Sequence, residues 1–328
     1  MTKVSLRTML IIGLVLVSAC SPATQTSSLV AITVQLGTTH QAVYGGFYAA
    51  DQNGEYTREG LAVTFIEGGT NLDVVIPLIN GSAQFSILGA STIVAQRAAG
   101  KPIKAIATVL RRDPVVFFSL ADSGITHLQD FVGKKVLVSL NLRSRLYAML
   151  AKAGINRNQL TLVDSGNFTD LYTGKIDIAS GLITSSVLAA QQAGHPVNII
   201  YPDDYGVHFY STTVASTDDY IATHADVITR FLRATFRGWV SAVENPQSIG
   251  AMVVHYTPQA DAAFESASMA ASIPYINTGE DHIGWMNADK WTGMLRSMRA
   301  EGEVNSTLDI KDVYTMEFVQ QIYGDNQP

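Results

Sequence analysis

The side chains able to do chemistry in this sequence fall into short polar clusters, each directly after an apolar run. Thr38, Thr39 and His40 follow the run 30–36, with Tyr44 and Tyr48 one helical turn apart just beyond. Glu67-Gly68-Gly69-Thr70-Asn71 follows 61–66, and Gly89-Ala90-Ser91-Thr92 follows 84–88. Ser139, Asn141 and Arg143 come after 136–138, Ser180-Gly181 after 176–179, and Tyr201, Tyr205, His208 and Tyr210 form a last, aromatic cluster. Hydroxyls, amides and ring faces so placed hydrogen-bond and stack on a flat, neutral ligand. Arg111-Arg112-Asp113 adds charge. Either guanidinium there would hold a carboxylate, sulfonate or phosphate, or the run supplies an Arg–Asp pair that stiffens its junction.

Bond-breaking chemistry finds no support in the same residues. The seven histidines (40, 127, 195, 208, 224, 255 and 282) lack the short spacings of a helical metal site. No Gly-x-Ser-x-Gly elbow, phosphate loop or Gly-x-Gly-x-x-Gly occurs. No catalytic group, metal or cofactor is expected, and the chain reads as a binding protein rather than an enzyme. With 22 basic against 28 acidic residues it has no general attraction to nucleic acid.

The single cysteine, Cys20, excludes an internal disulfide and a thiolate zinc cluster. Its setting assigns it another role. Lys3 and Arg7 precede an apolar run over 9–17 that is broken only by Gly13, too short to span a bilayer comfortably. Val17-Ser18-Ala19-Cys20 resembles the bacterial lipobox. We therefore read 1–19 as a lipoprotein signal peptide and 20–29 as a lipidated cysteine and tether. The folded part is expected outside the cell membrane, lipid-anchored through Cys20.

Positioning these clusters requires a particular kind of scaffold. At 328 residues, 47% hydrophobic and only 15% charged, the chain can bury one large core or two ordinary ones. From residue 30 onward strand-like and helix-like segments alternate, the rhythm of a mainly parallel sheet flanked by helices. The chain also echoes itself. Asn80 to Ile103 and Thr173 to Val197 each run strand, helix, then Gly-x-Pro, the glycine closing the helix and the proline stopping it. The echo predicts two lobes of similar build, lobe I over 30–115 plus 212–328 and lobe II over 116–211. Val227, Ile228, Phe231, Leu232, Thr235, Trp239 and Val243 predict one long amphipathic helix that Pro246 ends. Ligands of open α/β sheets bind at strand carboxyl ends, where the polar clusters lie.

Gly46-Phe47-Tyr48-Ala49-Ala50, Glu59-Gly60-Leu61-Ala62-Val63, Arg112-Asp113-Pro114, Asp130-Phe131-Val132-Gly133-Lys134-Lys135-Val136, Gly238-Trp239 and Gly284-Trp285-Met286 occur in this order. In these motifs the chain resembles the periplasmic binding proteins for thiamine-precursor pyrimidines, sulfonates, nitrate and related small molecules. The resemblance implies a two-lobed periplasmic-binding-protein type II fold with two hinge crossings, near 114–119 and 210–215. It further implies a monomer that closes on its ligand and delivers it to the permease and ATPase subunits of an ABC importer. Two departures bear on the ligand. Thr38-Thr39 follow Gly37 where pyrimidine-binding relatives often carry a tryptophan, which leaves room for a larger ring system or moves stacking to Tyr44, Tyr48 or Tyr210. The cysteine-rich iron motif of the yeast pyrimidine-synthase relatives is absent. The ligand expected is a flat heteroaromatic vitamin or precursor, with riboflavin favoured. A formylaminopyrimidine-type thiamine precursor, or a small anion such as sulfonate or nitrate held by Arg111 or Arg112, is the alternative. An exported enzyme acting on a pyrimidine-like compound is the alternative of another class. The binding residues expected are Thr38, Thr39, His40, Tyr44, Tyr48, Gly69, Ser91, Arg111, Asn141, Ser180, Tyr205, His208 and Tyr210.

Overall fold

The computed structural model describes residues 28–69, 72–139, 142–276, 282–304 and 307–324. Cys20, with the signal and tether read around it, and Asn141 lie outside the described residues.

Among the described residues ten strands form two sheets of five. The first, ordered β2-β1-β3-β10-β4, is built from β1 (Val30–Gln35), β2 (Leu61–Ile66), β3 (Phe85–Leu88), β4 (Ile103–Leu110) and β10 (Ser211–Thr217). The second, ordered β7-β6-β8-β5-β9, uses β5 (Val115–Leu120), β6 (Lys135–Leu137), β7 (Thr161–Val163), β8 (Ile178–Leu182) and β9 (Val197–Ile200). One strand in each sheet runs against the rest: β10 pairs antiparallel with β3 and β4, and β5 with β8 and β9. The fold is α/β and two-lobed, with two mixed sheets flanked by helices.

The crossings between the sheets differ from the sequence expectation. Val115–Leu120 is not a linker but an inner strand, buried along nearly its whole length, as a Val-Val-Phe-Phe run with neighbours on both edges demands. The first crossing is therefore only 111–114. Residues 211–217 likewise belong to β10, so the return crossing is 201–210.

The long amphipathic helix is Ala225–Glu244, with Val227, Ile228, Phe231, Leu232, Thr235 and Trp239 buried. Pro246 ends it by starting the next helix, Pro246–Tyr256, at a position where its missing N–H costs nothing. Ala225–Glu244 packs on Gly45–Gln52 in a core that also holds Val34, Phe65 and Phe85 from the first sheet. A second core runs between the lobes. It joins Ile93 and Val94 of helix Ala90–Ala98, Leu146 and Met149 of helix Arg143–Lys152, and Trp291, Met294 and Met298 of helix Ala288–Ala300. Bridges from Gly284 to Thr108 and from Tyr314 to Ala105 tie both flanks of Ala288–Ala300 to the edge of β4, so this helix spans from the first sheet to the second lobe.

Candidate functional site

The strand registers bring the polar clusters to facing edges. In the first sheet the ends of β1, β2, β3 and β4 and the start of β10 share one edge, since Gln35 pairs Ile66, Thr213 pairs Leu88 and Ser211 pairs Leu110. In the second, Leu137 pairs Val163 and Ala179, Val115 pairs Leu182 and Phe117 pairs Ile200. The ends of β6, β7, β8 and β9 and the start of β5 thus share one edge too. Both crossings run between these two edges, which makes the junction a cleft of the kind open α/β sheets offer to ligands.

On the first-lobe side, buried Gln35 donates through Nε2 to the carbonyls of Leu36, Ile66 and Glu67 at 2.9, 3.2 and 3.1 Å, pinning the ends of β1 and β2 together. The next loops touch backbone to backbone: Gly68 N–H donates to Thr38 O at 3.0 Å, and a Cβ on Gly68 would stand 2.6 Å from the Gly37 carbonyl carbon. Thr38 and Thr39 are exposed on this rim, and Gly69 is half-buried beside it. Tyr44 and Tyr48 are in the core and present no open ring face to a ligand. Tyr44 Oη accepts the Thr38 N–H at 2.9 Å; Tyr48 stacks on Tyr256 with centroids 4.4 Å apart and meets His40 Nδ1 at 2.7 Å. The stacking expected of these two rings is corrected accordingly. Helix Gly45–Gln52 is buried over six of its eight residues, so Tyr48 and Tyr44 just before it go into the core, and their hydroxyls brace the loop above. His40 N–H donates to Glu67 Oε1 at 2.9 Å, and partial burial holds the imidazole below its ordinary pKa against the pull of Glu67.

The junction itself is crowded with charge. Arg145, in the first turn of helix Arg143–Lys152, pairs through Nε with Asp113 Oδ2, and both side chains are almost wholly buried. Its Nη1 donates to Ser91 Oγ at 3.3 Å, and its guanidinium lies 5.1 Å from the centroid of Phe209. Burial pushes the Asp113 carboxyl up and the guanidinium pulls it down. A neutral Asp113 would strand a buried cation, so the two are held as an ion pair. Arg112 Nε meets Asp203 Oδ2 at 3.2 Å, and His208 Nδ1 meets the other oxygen of Asp203 at 3.0 Å. Arg112 and Asp113 thus each pair outside their own run, across the junction. Arg111 is buried; its N–H and that of Arg112 both donate to Tyr275 O, at 2.8 and 3.3 Å, and its carbonyl accepts the Lys290 ammonium. Lys290 stands 4.5 Å above the Tyr210 ring, and burial lowers its pKa.

Other expected residues fall elsewhere. Tyr210 is buried beside Trp291, its Oη accepting the Asn287 N–H at 2.8 Å, so its ring is covered and does not stack on a ligand. Ser180 is not past a strand end but inside β8, which runs three residues further than its apolar pattern suggests. Tyr205 Oη accepts the Leu128 N–H at 3.0 Å and buttresses the second lobe. His208 alone of the described candidates lines a cavity of about 600 Å³ between the far half of helix Arg143–Lys152 and helix Ala288–Ala300.

Three residues with a bearing on the cleft escaped the sequence reading. Tyr275 carries Arg112 at 5.9 Å from its ring centroid, and burial pushes its phenol up to about 12, with Tyr201 adding to the shift. Nothing in a helix interrupted by Pro274 marks the next residue as part of a cleft. Lys290 likewise lies far along the chain. Arg145 did leave a signal: two arginines and no acid in a first helical turn oppose the helix dipole, an arrangement that needs an outside anion.

Among the described residues no group of three or more His, Cys, Asp or Glu side chains converges to hold a metal ion, and no helix is long and apolar enough to cross a membrane.

Comparison with known proteins places these features among relatives. The family described as "NMT1/THI5 like" matches residues 41–249. Riboflavin-binding protein RibY of Chloroflexus aurantiacus is 22% identical over 97% of this chain and 99% of its own length. The formylaminopyrimidine-binding protein of Halalkalibacterium halodurans is 23% identical over 93% and 96%. A 4-amino-5-hydroxymethyl-2-methylpyrimidine phosphate synthase of Legionella pneumophila is 25% identical over 85% and 89%. In three dimensions the periplasmic aliphatic sulphonate binding protein SsuA of Escherichia coli superposes with a TM-score of 0.68 at 14% identity, covering 86% of this chain and 91% of that one.

Proposed function

The chain belongs to the NMT1/THI5-like family, and from that membership we propose that it is the extracytoplasmic substrate-binding protein of an ABC importer. It captures a flat, neutral heteroaromatic vitamin, riboflavin, between its two lobes and hands it to a permease. The observation that carries this reading is the convergence of both sheets' carboxyl edges on one junction. The exposed threonines of the first lobe stand at that edge, and Tyr201 and Tyr275 are the half-buried rings at hand. Whole-length likeness to a protein named for riboflavin binding supports the choice of ligand. In the same reading lobe I comprises 30–115 plus 212–328, lobe II comprises 116–211, and Cys20 carries the lipid that keeps the protein at the membrane.

Riboflavin fluorescence tests the ligand. Titration of the purified protein into riboflavin should quench the flavin emission to a saturating end point, and the native preparation should carry flavin that mass spectrometry identifies. A colourless protein that leaves the emission unchanged overturns the choice.

A second reading, capture of a formylaminopyrimidine, is supported by the similar identity to the protein named for that ligand. Competition between the two compounds for one site separates the readings. Likeness to a pyrimidine phosphate synthase keeps an enzyme in view, and turnover of a bound pyrimidine by the isolated protein would favour it.

A further inference from the structure

We propose that Asp113 is a built-in counter-ion which occupies Arg145 and so makes the cleft refuse anionic ligands; the proposal rests on reading the junction as the ligand cleft. Arg145 stands where an anion receptor would. It projects from the first turn of a helix that follows β6, its side chain is 3% exposed, and it reaches from the second lobe to Ser91 of the first. A buried guanidinium with backbone N–H groups beside it binds carboxylate, sulfonate or phosphate oxygens strongly. Here the chain supplies the carboxylate itself. Asp113, 2% exposed, belongs to the first crossing, and its Oδ1 also accepts the Val115 N–H at 3.3 Å, so the crossing's own fold presents the acid to Arg145.

An incoming anion would have to displace Asp113 and leave a buried carboxylate without its cation, a loss its own contact with Arg145 could only match. A neutral ring ligand meets no such exchange. The same arrangement recurs at the rim, where Asp203 takes Arg112 at 3.2 Å. Small-anion binding is thus a capacity this cleft holds in masked form.

The test is titration calorimetry with methanesulfonate and acetate as probes. Wild type should bind both only weakly. Asp113→Asn should bind methanesulfonate with an affinity roughly tenfold or more above wild type, the return on one charge-assisted hydrogen bond, and the gain should vanish in Asp113→Asn with Arg145→Met. A folded Asp113→Asn without the gain overturns the proposal, as does a gain that survives loss of Arg145 and disappears instead with Lys290→Met. If Asp113→Asn does not fold, Asp113→Ala is melted in acetate and in chloride of equal ionic strength. A higher Tm in acetate, absent from wild type, supports the proposal; equal values overturn it. Riboflavin titrated into wild type in parallel keeps the two readings apart. Its failure would remove the vitamin while the anion result stood or fell by itself.

Discussion

Gly238 of the long helix lies directly on Ala50 of helix Gly45–Gln52, so close that a Cβ on Gly238 would stand 2.6 Å from Ala50 Cβ and 2.5 Å from its backbone nitrogen. The neighbouring positions interlock in the same way: a Cβ on Gly46 would stand 2.5 Å from Cε2 of Trp239. The motifs Gly46-Phe47-Tyr48-Ala49-Ala50 and Gly238-Trp239 are therefore two halves of one helix crossing. Gly238→Ala must push the helices apart or distort them, and the expected cost is about 1–3 kcal/mol or more, as for other overpacked cores. Urea denaturation reads it as a lower midpoint. The close contacts are with Gly46, Ala50 and Trp239, none of them at the junction, so the folded fraction should keep its ligand affinity.

Tyrosines near the junction divide by function. Tyr210 accepts the Asn287 N–H and is covered by Trp291 and Lys290, whereas Tyr275 and Tyr201 keep part of their rings accessible. Tyr210→Phe should leave the Asn287 N–H without its acceptor and lower stability by about 1–3 kcal/mol, with little change in ligand Kd. Tyr275→Ala should do the opposite, weakening the bound flavin by roughly tenfold, about what one stacked aromatic contributes. Thermal melting and fluorescence titration of both variants make the comparison.

Acidification should act through His40. Burial holds its folded-state pKa below the ordinary 6.5, so the neutral ring contributes stability that is full above the unfolded value and is lost as pH falls through the folded one. The ring stands beside the stacked Tyr48–Tyr256 pair, 5.5 and 5.1 Å from their centroids, in the loop that carries Thr38 and Thr39. Stability and ligand affinity should therefore decline together once pH drops well under 6.5. In His40→Gln that part of the decline should be missing, as measured by titrations across a pH series.

Periodicity served the elements better than the site. Runs such as Ile103–Leu110 and the Val227-to-Trp239 face are continuous local patterns, and they became a strand and a buried helix face at the expected places. The first crossing stands at 111–114 and not near 114–119, because a strand buried on both faces, as Val115–Leu120 is, has no alternation to mark where it begins. For the site, sequence placed residues near strand ends but not which way they face. Tyr44 and Tyr48 bury themselves to brace the loop that Thr38 leaves exposed. Arg145, Tyr275 and Lys290 come to the junction through long-range packing, of which only the charge reversal at the first turn of Arg143–Lys152 left a local trace.

The helix Ala288–Ala300 carries the final prediction. Its flanks are fixed to β4 through Gly284 and Tyr314, yet Trp291, Met294 and Met298 share a core with Leu146 and Met149 of the second lobe. A segment tied to one lobe and buried in the other makes the two unfold as one unit, because separating them exposes the core from both sides. Met294, 1% exposed, sits in that shared core. Met294→Ala removes apolar contacts there and leaves a cavity, at an expected cost of about 2–5 kcal/mol. If the core is shared, amide exchange should quicken in Arg143–Lys152 as well as in Ala288–Ala300, although they are far apart in the chain. Faster exchange confined to the mutated helix would show that the lobes are held together by the crossings and the Arg145 pair alone.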